Sequence, residues 1–136
     1  MNNKFEMWLE NELIAVNTKL DTAKLAMGNM EIFLIRNDNA IGYLKLIHRQ
    51  QILTSLLNNM PTLSANELIG IIFKLLSYAL CVSLDNSGIN RDQNAELHID
   101  KHRFNAKVYF MQLKFNYPES INTPMGKQLE KLIYSF

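Results

Sequence analysis

Three histidines and a short row of cations are the residues whose types and spacing could do chemistry in this chain. His98 and His102 stand four apart, so on a helix both project from one face, as a two-ligand metal clamp requires. His48 lies in an earlier segment. Brought alongside the pair across a bundle, it would make a third imidazole ligand and leave one coordination position open. Arg91-Asp92 followed by His98 offers a different chemistry, a guanidinium steadying a phosphate while an imidazole moves a proton. A third pattern is the stripe Arg103, Lys107 and Lys114, with Lys101 close by and Lys127 and Lys131 further on, which can track a phosphate backbone. Each pattern also has a plainer reading: histidines on polar stripes, a loop arginine, and a solvated charged face.

Two of these patterns carry resemblances. His48, taken with His98-Ile-Asp-Lys-His102-Arg103, resembles the DinB-like four-helix metalloproteins, in which an early-helix histidine joins a histidine pair followed by arginine. Here Phe104-Asn105 stands where that family usually has Gly-Gln. The resemblance implies a metal held by His48, His98 and His102. Arg91, Asp92 and His98 are similar to the arginine, polar residue and histidine of HEPN-type ribonucleases, which are small, helical and commonly dimeric. That resemblance implies Arg91 on the scissile phosphate and His98 as acid or base.

Composition narrows the field further. The chain has 136 residues, 48% of them apolar and 20% charged, with 14 Lys+Arg against 13 Asp+Glu. Its length favours one domain, residues 1–136, and its composition excludes wholesale disorder and collagen-like sequence. Near-zero net charge argues against a polyanion-coating protein and against an acidic nucleic-acid mimic. The charge is unevenly spread: residues 98–136 hold six basic and three acidic residues, whereas residues 1–35 hold three and five. One cysteine, Cys81, permits neither an internal disulfide nor a Cys-rich zinc site. No Gly-rich phosphate loop, nucleophile elbow or calcium loop is recognisable, so no cofactor is expected. The N-terminus turns acidic early and lacks the apolar core of a secretory signal, so the expected compartment is the cytoplasm.

Helices must position these residues. Phe5, Leu9, Leu13, Val16, Leu20, Ala23 and Met27 recur at three- and four-residue steps and predict an amphipathic helix ended by Gly28. Residues 31–47 are ambiguous: a helix from about Ala40 to Asn58, preceded by another, or a short β-hairpin turning at Asn37–Asn39. Ser64-Ala65-Asn66-Glu67 is a capping box, with Leu63 and Leu68 placed as its hydrophobic staple. It opens a helix over about Ala65–Leu84 that is apolar almost all round, which predicts a core helix surrounded by other elements rather than a membrane span. The segment from about Ala95 to Asn116 carries two apolar stripes: Leu97, Phe104, Val108, Met111 and Phe115 on one side, Ile99, Ala106, Phe110, Leu113 and Tyr117 nearly opposite. Such a helix is sandwiched between layers, or docks one stripe on a partner. Pro118 ends it, and Thr123-Pro124 starts a last short helix.

The expectation is therefore a mainly α protein of four to six helices around a buried central helix. No catalytic constellation is specified. The leading functional reading is an interaction module (assembly subunit, adaptor or inhibitor) that docks on another protein or on itself through Ile99, Phe110, Leu113 and Tyr117. A nucleic-acid-binding subunit using Arg103, Lys107 and Lys114 is the alternative, and an HEPN-like ribonuclease the second.

Overall fold

The computed structural model describes residues 3–27, 37–86 and 93–135. Among them are six helices and no strand: α1 (Asn3–Met27), α2 (Asn37–Asn58), α3 (Ala65–Asp85), α4 (Gln93–Asn116), α5 (Pro118–Ile121) and α6 (Pro124–Ile133). The all-α expectation holds. In the ambiguous stretch, Asn37–Ile47 is helical, which removes the second limb of the hairpin; residues 31–36 lie outside the described residues.

Where the length anticipates one domain, the chain groups into two compact units, one of Met7–Met60 and one of Met1–Glu6 with Pro61–Phe136. In the first, the α1 stripe is buried at Leu9, Val16 and Leu20, as is α2 at Leu53 and Leu56. The Gln50 side-chain amide donates to Asn17 Oδ1 at 2.6 Å and ties the two helices together.

The second unit is built on α4. This helix packs along α3 and also against α5 and α6, so both its stripes are enclosed. Phe104, Val108 and Met111 of one, and Ile99, Ala106, Phe110 and Leu113 of the other, are buried. Of the two arrangements open to a double-striped helix, the sandwich is the one adopted. Gln112, placed by periodicity on a polar stripe, is buried as well, and its amide donates to Pro61 O at 3.0 Å. The Tyr117 hydroxyl donates to Leu63 O at 2.8 Å. These two bonds fasten the 61–63 connection onto the C-terminal half of α4.

Local chemistry sets the helix ends. Ser64 is extended (φ −72°, ψ 163°), its hydroxyl accepts from the Glu67 amide at 3.2 Å, and it donates to the Glu67 carboxylate at 3.0 Å. The hydroxyl half of the expected box thus forms, while the Glu67 carboxylate accepts from the capping hydroxyl where the box has it accept from the Ser64 amide. Thr123 caps α6 by accepting from the Gly126 amide at 3.0 Å, with Pro124 at the first helical position. Gly126 lets α6 lie against α5: a Cβ there would meet the Ser120 carbonyl oxygen and come within 2.7 Å of Ile121 Cα.

Candidate docking face

α3 is covered on one side only. Leu68, Ile72 and Ala79 are its buried residues, and 17% of its most apolar window is buried. Roughly a quarter turn round from them runs a row at helical spacing: Ile69, Phe73, Leu76, Leu80 and Leu84. Phe73 is 42% exposed, Leu80 59% and Leu84 62%, while Ile69 and Leu76 are half-buried. On the far edge of the row stand the small residues Gly70, Ser77 and Cys81, all exposed. Beyond these, the Lys74 ammonium lies 5.9 Å from the centre of the Tyr78 ring. The expectation that other elements surround this helix is met on one side and not on the other. α4, the more polar of the two helices, is the one enclosed, because it packs against both α3 and the α5–α6 pair.

This placement corrects the anticipated docking stripe. Ile99, Phe110 and Leu113 are buried within the protomer, and Tyr117 is half-buried with its hydroxyl engaged by Leu63. Phe110 meets the Tyr134 ring edge-on at 6.4 Å between centroids. A stripe already covered offers no surface to a partner. The surplus apolar face exists, on α3 instead.

The remaining candidates fall as follows. His98 and His102 do share a face, with ring centroids 6.5 Å apart. His102 also lies 5.6 Å from the Tyr78 ring of α3. Burial first, and then the neighbouring charges of His98 and Lys101, hold the His102 imidazole below its ordinary pKa. His48 belongs to α2, in the other unit. Among the described residues no three His, Cys, Asp or Glu side chains come together as a metal site would need. Arg91 lies outside the described residues, so the Arg91–His98 pairing has no described geometry; His98 itself is exposed at the start of α4.

Arg103, Lys107 and Lys114 do share α4, but all three are half-buried. Lys114 is committed to α6: its ammonium lies 3.4 Å from the Tyr134 hydroxyl and 5.8 Å from that ring's centre. Such a row is a structural brace at one end rather than a free line of cations. Buried Gln112 escaped sequence reasoning, and the only signal for it was position, on a helix covered on both sides. The open side of α3 escaped it too, since composition alone makes that helix look like core. Set against models of known families, curated proteins and solved structures, the chain matches none of them.

Proposed function

We propose that this protein is a non-catalytic interaction module that docks through the open row of α3. The observation that carries this reading is the exposure of Phe73, Leu80 and Leu84 together, in line, on a helix whose other side is packed. Scattered exposed apolar residues are ordinary on a protein surface; a contiguous row on one well-formed helix marks a contact surface. Helix-in-groove and helix-on-helix recognition use anchors at this spacing.

The test is the size of the native assembly. In intact cells treated with a short-arm cross-linker before lysis, the wild-type chain should be captured in species above its 15.8 kDa monomer, whereas Leu80→Glu should run as a monomer with unchanged helical circular dichroism. A wild-type chain that runs as a monomer, or a Leu80→Glu chain that keeps the assembly, would overturn the reading.

A further inference from the structure

We infer that the occupant of the α3 row is α3 of a second copy, lying antiparallel across a two-fold axis near Leu76 and Ser77. The inference rests on the docking role just proposed and names the partner. Three observations point to it.

The row is its own complement when reversed. With the axis between residues 76 and 77, Ile69 meets Leu84 of the second copy, Phe73 meets Leu80, and Leu76 meets Ser77. The outer pairs then set large apolar side chains against each other, the central Leu76 meets the small Ser77, and every contact occurs twice, as an isologous interface demands. The alternating four- and three-residue steps of Ile69, Phe73, Leu76 and Leu80 are those of a knobs-into-holes seam.

The edge of the row is self-complementary in the same register. Antiparallel helices set like edges side by side, so Gly70 comes beside Cys81 of the second copy and Ser77 beside Ser77. Small residues on both sides allow the helix axes to approach closely, and a Cβ added at Gly70 meets nothing within 4 Å in the single protomer. No charged residue lies on the row or its small-residue edge between Glu67 and Asp85; Lys74 stands outside that edge, against Tyr78.

Charge decides between occupants, and area sets how firmly the pair holds. A helix that lies on a bilayer surface carries Lys and Arg on its polar side. α3 has one, Lys74, against Glu67 and Asp85, which suits contact with its own kind better than with anionic lipid. At 21 residues and about 1.5 Å per residue, and about 10 Å wide, the seam covers on the order of 300 Å² per copy. Stable interfaces bury about 800 Å² on each side. The dimer is therefore a weak, reversible one, with association governed by local concentration.

The experiment pairs sedimentation of the purified full chain, from about 10 µM to 1 mM, with cysteine cross-linking. Wild type should pass from monomer to dimer over that range, and Leu80→Glu should stay monomeric. Under mild oxidant, Gly70→Cys with native Cys81 should give covalent dimer. Wild type, and Gly70→Cys combined with Cys81→Ser, should give at least tenfold less, since a disulfide needs Cα atoms within about 7 Å. Efficient Cys81–Cys81 linkage in wild type would overturn this antiparallel register. Monomer throughout would overturn the dimer. If that monomer bound vesicles of 30% phosphatidylserine and lost them on Leu80→Glu, the occupant would be a bilayer. A purified monomer whose in-cell cross-linking still depends on Leu80 would sink the self-pairing and leave the docking role standing; absence of both would sink both.

Discussion

Replacing one phenylalanine on each of the two central helices separates enclosed from open surface. Phe110 has 0% of its area exposed and Phe73 42%, so the same change, Phe→Ala, removes the same atoms from two environments. At Phe110 the loss includes full transfer of the ring, the cavity left behind, and the edge-on contact with Tyr134 at 6.4 Å. Cavity-forming Phe→Ala changes cost about 3–5 kcal/mol, of which the ring pair accounts for about 0.5–1.5. Phe73 is packed over little more than half its surface and leaves no closed cavity. Its change should cost about 1 kcal/mol, partly offset by the better helix propensity of alanine. Urea unfolding followed by circular dichroism at 222 nm, at about 5 µM to keep the chain monomeric, reads both. Against a total of about 5–15 kcal/mol, the Phe110 variant should show a midpoint lowered by about a fifth or more of the wild-type value. Equal losses at the two sites, or a larger one at Phe73, would mean that α3 rather than α4 is the enclosed helix. The assignment of the docking face would then fall.

Other outcomes follow from particular contacts. Gly126→Ala sets a Cβ against the α5 backbone and should destabilise by about 2 kcal/mol or more, read as a fall in thermal midpoint, whereas Gly70→Ala should be neutral or slightly stabilising. Ser64→Ala removes the cap of α3 and should cost about 1 kcal/mol in urea unfolding; Ser64→Asp should restore most of it. Folded His102 holds a proton more weakly than the unfolded chain does, so its contribution is present above pH about 6.5 and is lost as pH falls from there toward its lowered folded value. His102→Asn should flatten that slope, and an unchanged slope would show that the imidazole is not the titrating group. Labelled single-stranded RNA should be neither shifted nor shortened at about 50 mM salt; a shift that disappears at about 200 mM and in Lys107→Glu would move the function to the basic row.

Much of the architecture was legible because it rests on local signals. The Ser64 and Thr123 caps are read from residue type and spacing, and both helices start where those residues say. The α1 stripe is buried where its three- and four-residue steps place it, at Phe5, Leu9, Val16 and Leu20. The open apolar row of α3 was not legible, for a physical reason. Periodicity shows that a face is apolar, but whether it is covered depends on which elements lie against it. Phe110 and Leu113 belong to a thin stripe on a polar helix and are enclosed; Leu80 and Leu84 belong to a richly apolar helix and are open. The histidine motif is divided between the two units, with His48 on α2 and His98 and His102 on α4, a division that spacing along the chain does not reveal; Arg91 lies outside the described residues.

The open row has a consequence for the lifetime of the protein. Exposed leucine and phenylalanine in sequence are what chaperones and proteases recognise in a misfolded chain, and a solitary protomer displays them while fully folded. Pairing hides that signal and dilution reveals it. Because pairing strengthens with concentration, scarce copies would be cleared before abundant ones, and the persistence of this protein would rise with its own level through the same few side chains that hold the pair together.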